Sequence, residues 1–135
     1  MNLVIDANIL FSALIKNSLT AELIFNQELR LYTCEFIIEE FFKYETEILL
    51  KTHRTEGQWI TIMHQLREII TVIPKEEYSQ FMDEAEKLCP DPKDAIYFAL
   101  ALRLGCPIWS NDKRLKDQES IRIYSTAELK DIVYI

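Results

Sequence analysis

Three short stretches carry residue types that could do chemistry together. They are Asp6 with Asn8, Asp91-Pro92-Lys93-Asp94, and Ser110-Asn111-Asp112. Carboxylates brought into one cleft repel, raise one another's pKa and cost stability unless a cation holds them. A ligand set of oxygens alone, without Cys or His, suits Mg²⁺ or Mn²⁺. The chemistry on offer is therefore that of a divalent ion in an acidic cleft. Other constellations are missing. There is no GxxxxGKS/T and no GxGxxG, and only 2 glycines are present, too few for a phosphate-cradling loop. No GxSxG elbow occurs. His53 and His64 lack an HExxH or cysteine partner and read as ordinary surface histidines.

Each acid also has a plainer explanation. Asp6 can cap a helix after a first strand. Asp91 reads as an N-cap, with Pro92 at the first helical position and Asp94 where a carboxylate suits the helix dipole. Ser110-Asn111-Asp112 can be a turn. What these explanations leave over is the joint pattern. Asp6 and Asp112 each follow an apolar strand at the same edge of a parallel sheet, where open α/β sheets bind ligands. Asp94 opens the helix between them, on the side away from Ala95, Phe98, Ala99 and Leu102 at ~100° per residue.

The positioning elements follow from apolar patterning. Short apolar runs predict strands at 3–5, 29–32, 71–73, 107–109 and 121–124. Helical periodicity predicts helices at 9–16, 21–27, 35–51, 56–70, 76–88, 91–104, 113–116 and 127–133. Asn17-Ser18 punctuates; Thr20, Thr55 and Thr126 are the expected caps, and Gly105 the expected C-cap. Strands alternating with helices argue an α/β chain with a covered parallel sheet. A fourth acid is expected from the helix at 35–51, where Ile37, Phe41, Tyr44 and Ile48 define a buried arc. Glu40 lies at its margin and Glu39 points to solvent. Glu45 falls inside the stripe, where a paired structural carboxylate is the better reading, so Glu35, Glu39, Glu40 and Glu45 all compete.

A length of 135 residues suits one domain over residues 1–135. Fifteen Lys+Arg against 22 Asp+Glu give a net charge of −7, which argues against broad nucleic-acid coating but allows a local basic rim. Lys93, Lys113, Arg114 and Lys116 flank two of the acids and could form that rim. Cys34, Cys89 and Cys106 form no CxxC pair, and their odd number fits a reducing compartment. No run reaches a membrane span and no signal-peptide pattern opens the chain, so a cytoplasmic location with no membrane partner is expected.

With these residues in order, the chain resembles the PIN domain family of metal-dependent nucleases, which includes toxins of type II toxin–antitoxin pairs. The resemblance rests on Val4-Ile5-Asp6-Ala7-Asn8, on Glu40-Phe41, on Asp94 through Ala101, and on Ser110-Asn111-Asp112. It implies a single PIN-like domain with a central parallel sheet in the order 3-2-1-4-5, flanked by helices on both faces. It implies Asp6, Glu40, Asp94 and Asp112 as acids of a Mg²⁺ or Mn²⁺ site, with Asn8 and Ser110 in support. The expected activity is endonucleolytic cleavage of single-stranded RNA. An antitoxin protein is a candidate partner, and a homodimer stays open. The rivals are a catalytically silent PIN module acting as a scaffold and, more remotely, an aspartate-nucleophile phosphatase. The latter requires a second aspartate where this chain has Asn8.

Overall fold

Leu3, Val4 and Ile5 have no exposed surface, so both faces of the strand they form are covered. In the computed structural model, which describes residues 1–14 and 18–134, that strand is β1 (Asn2–Ile5). It is the centre of a five-stranded sheet with β2 (Arg30–Cys34), β3 (Ile70–Ile73), β4 (Ile108–Trp109) and β5 (Ile123–Tyr124). The order is β3-β2-β1-β4-β5, and each neighbouring pair is parallel. Both the α/β class and the strand order match the expectation. Parallel neighbours cannot be joined by tight hairpins, so helices carry the crossovers and cover the sheet.

The helices are α1 (Ala7–Ala13), α2 (Leu19–Ile24), α3 (Glu35–Lys43), α4 (Glu45–Thr52) and α5 (Glu56–Ile69). They continue with α6 (Lys75–Tyr78), α7 (Met82–Leu88), α8 (Ala95–Leu104) and α9 (Thr126–Val133). α8 is buried almost all round, with Ala95, Tyr97, Phe98, Ala99, Leu100 and Ala101 in the core. Burying each of its large apolar side chains contributes about 1.5–3 kcal/mol. Gly105 closes it with φ of 64°, a left-handed conformation that favours glycine. Cys34 and Cys89 are buried and Cys106 is partly so; all three are free. No helix among the described residues is long and apolar enough to cross a membrane.

Several expected boundaries move. The helix expected over 35–51 breaks at Tyr44 (ψ 24°) into α3 and α4. The break turns Tyr44 out to solvent instead of into the arc, while Ile37, Phe41 and Ile48 stay buried. The helix expected at 76–88 is α6, a 3-10 turn at Ser79–Phe81, and α7. Lys113–Lys116 is a 3-10 turn, not an α-helix. β2 begins one residue late and runs on to Cys34, because Thr33 is drawn inside and its hydroxyl donates to the Ile5 carbonyl at 3.1 Å. β5 starts only at Ile123, since the Gln118 side chain holds the preceding loop by four hydrogen bonds to the backbone of Leu115, Ser120 and Ile121.

Two caps also shift. Ser18, not Thr20, caps α2, and Ser125, not Thr126, caps α9 in a box with Glu128. Both threonines are buried and face each other, with hydroxyls 3.4 Å apart. Thr55 caps α5 as expected. The expected extension of α1 to Lys16, and the break at Asn17, lie outside the described residues.

One feature of the topology positions the site. β2 and β3 lie on one side of β1, and β4 and β5 on the other. Such a switch point opens a crevice beyond the carboxyl ends of the two central strands. Ile5 pairs with Trp109, so the chain leaves β1 and β4 side by side. The residues that leave there are Asp6 and Ser110-Asn111-Asp112.

Candidate metal centre

Asp6 is 97% buried at the N-terminus of α1, since its relative exposure is 3%. Its Oδ1 accepts from the Ile9 N–H at 2.9 Å, the capping bond anticipated for it. Its Oδ2 accepts from the Ser110 hydroxyl at 2.5 Å. The same Ser110 oxygen accepts the Asp112 N–H at 3.1 Å. One hydroxyl thus ties the acid after β1 to the acid after β4. Burial pushes the Asp6 carboxyl up, helped by the charge of Asp112, against the pull of Ser110 and the Ile9 amide.

Asp94 and Asp112 are brought together, and Asp91 joins them. One carboxylate oxygen from each lies within 4.8 Å of the others, and this is the only such acidic triad among the described residues. Asp6 is outside that triad but close enough in charge to matter. The Asp94 carboxyl is pushed up to about 6, first by burial and then by Asp6, Asp91 and Asp112, with Arg114 opposing. Asp94 sits at the N-cap position of α8 without any side-chain capping bond, so its oxygens are free of the helix.

Asp91 is both the cap expected of it and a member of the cluster. Its Oδ1 accepts from the Lys93 N–H at 3.0 Å, while Oδ2 accepts from Arg114 Nη2 at 3.2 Å. The signal for its second role was present in the sequence. Pro92–Asp94 forms a 3-10 turn, and residues three apart eclipse in such a turn. That spacing stacks Asp91 and Asp94 on one side.

Arg114 is the cluster's basic partner. Nη2 lies 3.0 Å from Asp112 Oδ2, Nε donates to Asp112 Oδ1 at 3.2 Å, and the backbone N–H donates to Asp112 Oδ1 at 3.0 Å. These bonds hold the Asp112 carboxyl below its ordinary range. Lys116 is engaged elsewhere, by Glu128 on α9. Lys93 and Lys113 are exposed. Asn111 does not face the acids. Its amide donates to Thr126 Oγ1 at 2.9 Å and its carbonyl accepts the Thr126 N–H at 2.8 Å, pinning the loop to α9.

The remaining expected residues are less tightly gathered. Asn8 is exposed at the start of α1. Glu40 is half-buried on α3 between buried Ile37 and Phe41, and outside the triad; Glu39 is exposed, as expected from its place opposite the buried arc. Glu35 and Glu39 border a groove with Phe36, Lys75, Tyr78 and Ile96. Glu45 borders another with Phe42, Trp59 and Arg67. Tyr97 was not singled out from the sequence, yet its hydroxyl accepts the Ala7 N–H at 3.0 Å and ties the start of α1 to α8. Its place three residues after Asp94, on the same face, was the available clue.

The donor set fits a hard divalent cation. It is all oxygen and partly shielded, and burial together with the shared negative charge raises the Asp94 carboxyl, a cost that a bound cation would relieve. Ser110 supports the arrangement at a point that can be tested. Ser110→Ala should destabilise the protein by about 1.5–3 kcal/mol, because a buried carboxylate loses its charged hydrogen bond. Thermal melts measure that loss, and a change below about 0.5 kcal/mol would show the bond to be dispensable.

Comparison with known proteins bears on the family and the fold. No curated protein matches the chain. Among solved structures, a chain in the crystal structure of VapBC2 from Rickettsia felis, bound to a DNA fragment from their promoter, superposes with a TM-score of 0.61. The match covers 93% of this chain and 98% of that one at 15% identity, so it bears on the fold alone. A family profile described as PIN domain matches residues 4–126. That span takes in the end of β1, all of β2 to β5, Asp6, the acidic triad and Arg114, and on it the chain belongs to the PIN domain family.

Proposed function

We propose that this protein is a nuclease that cleaves single-stranded RNA internally with Mg²⁺ or Mn²⁺. The observation that carries the reading is the triad of Asp91, Asp94 and Asp112 at the sheet's switch point, with buried Asp6 joined to it through Ser110. In this reading Asp91, Asp94 and Asp112 hold the cation, Asp6 supplies further negative charge, and Glu40 completes the acid set. A divalent ion bound there supplies a water acidic enough to attack at neutral pH and charge compensation for the phosphodiester.

The chain's own residues do the rest. Ser110 keeps Asp6 and the Asp112 backbone in one geometry, and Tyr97 fixes α1 against α8. Lys93 and Lys113 offer exposed cations at the rim for the nucleic-acid backbone. Membership of the PIN family supports nuclease chemistry, and the likeness to VapBC2 motivates a toxin role with an antitoxin as partner.

Cleavage assays on an unstructured RNA test the proposal. Cutting should require Mg²⁺ or Mn²⁺, stop with EDTA, need no nucleotide cofactor, and fall sharply with Ca²⁺, whose looser coordination orients water poorly. Equal cutting in EDTA would reject the metal mechanism. No cutting under any metal would favour the silent scaffold.

A further inference from the structure

We infer that Arg114 is a resident counter-ion that occupies the acidic cleft in the metal-free protein and must leave for the divalent ion to bind. The inference rests on the metal reading above and adds a competitor built into the same chain. One guanidinium spans two of the three triad carboxylates. Nη2 reaches Asp91 Oδ2 at 3.2 Å and Asp112 Oδ2 at 3.0 Å, and Nε reaches Asp112 Oδ1 at 3.2 Å. Asp91 Oδ2 and both carboxylate oxygens of Asp112 therefore already receive N–H donors from Arg114. A cation bound by the same oxygens needs those lone pairs at about 2.1 Å and would be repelled by a guanidinium in the same cleft. The two cannot hold Asp91 and Asp112 together.

Departure of the guanidinium is easy for three reasons. The Arg114 side chain is 67% exposed, whereas those of Asp91 and Asp112 are 20% and 22% exposed. An exposed ion pair is weak and exchanges readily with water. The Arg114 backbone N–H donates to Asp112 Oδ1 independently of the side chain, so Asp112 stays oriented when the fork swings away. Arginine holds the position more firmly than lysine would, because its planar fork grips Asp112 through Nε and Nη2 while Nη2 also reaches Asp91. Released beside a loaded site, the guanidinium is free to meet an anion such as a phosphodiester.

Calorimetric titration of metal-stripped protein with Mn²⁺ decides the matter. Arg114→Gln should bind Mn²⁺ about three- to tenfold more tightly than wild type, the range set by losing two exposed competing pairs. Arg114→Lys, which keeps the charge and loses the fork, should show part of that gain. Lys113→Gln removes a like charge from the adjacent residue and should change affinity by less than about twofold through screened repulsion alone. Wild-type binding with Arg114→Gln no tighter than wild type, or no tighter than Lys113→Gln, would overturn the inference and leave the metal centre standing. No Mn²⁺ binding by wild type would overturn the metal centre itself, and the inference with it.

Discussion

Asp94→Asn should abolish cleavage and leave the metal-free protein as stable as wild type, or more so, at neutral pH. The carboxyl of Asp94 is pushed up to about 6 from 3.8 by burial and three neighbouring acids. A carboxyl whose folded pKa lies above its unfolded value favours folding while it is protonated. That contribution is present at low pH and is lost as pH rises through about 4 to 6. Above that window the wild type carries the repulsion in full, and asparagine does not. Asparagine also forfeits no capping bond, because Asp94 makes none. Activity should drop by about a hundredfold or more, the scale of losing one preorganised charge-stabilising group. Melts of metal-free protein from pH 4 to 7 provide the check. The stability difference should move in favour of the mutant as pH rises, and a mutant that loses stability relative to wild type across that range would assign Asp94 a structural role.

The same relief is not expected of Asp112→Asn. Its carboxyl is held low by Arg114, so the charge is already compensated in the metal-free state. Sequence reasoning alone treats the aspartates of the cleft as alike, each repelling the others. The structure distributes the strain unevenly. Asp112 has a cation at 3.0 Å, whereas the half-buried Asp94 makes no side-chain capping bond and lies beside three acids.

What the sequence made legible follows the same line between local and tertiary causes. Strand–helix alternation and the runs Leu3-Val4-Ile5 and Ile108-Trp109 report burial directly, so the sheet and its class could be read from them. The break at Tyr44 could not, because apolar residues continue at helical spacing on both sides of it and a kink leaves no mark on that pattern. The caps were ambiguous wherever two hydroxyl residues stood close together. Ser125 and Thr126 can each cap, and only the buried pairing of Thr126 with Trp109 and Asn111 decides between them. Asp91 was legible as a cap, and its place three residues before Asp94 was a clue to the cluster, but its bond to Arg114, 23 residues away, left no mark in the sequence. Glu40 keeps its place at the edge of the apolar arc, half-buried, without a bond that separates it from its neighbours.

Mn²⁺ should stabilise the wild type strongly, and the pattern of loss among variants should draw the site. A ligand that binds only the folded state contributes RT ln(1 + [L]/Kd), about 2.7 kcal/mol at a hundredfold excess over Kd. For a chain of this size that corresponds to a melting shift of about 8–12 °C. Asp94→Asn and Asp112→Asn each remove a triad oxygen charge and should lose most of the shift. Glu40→Gln should lose less, because Glu40 lies outside the triad. Asp91→Asn is the informative case, because Asp91 has two roles that asparagine treats differently. Asparagine caps a helix nearly as well as aspartate, so the metal-free melt should barely move. It brings no charge, so a metal ligand at this position should cost the variant most of its Mn²⁺ shift. Loss of the shift at unchanged metal-free stability places Asp91 among the ligands. An undiminished shift would return Asp91 to capping alone and leave Asp94 and Asp112 to hold the ion with acids from outside the triad.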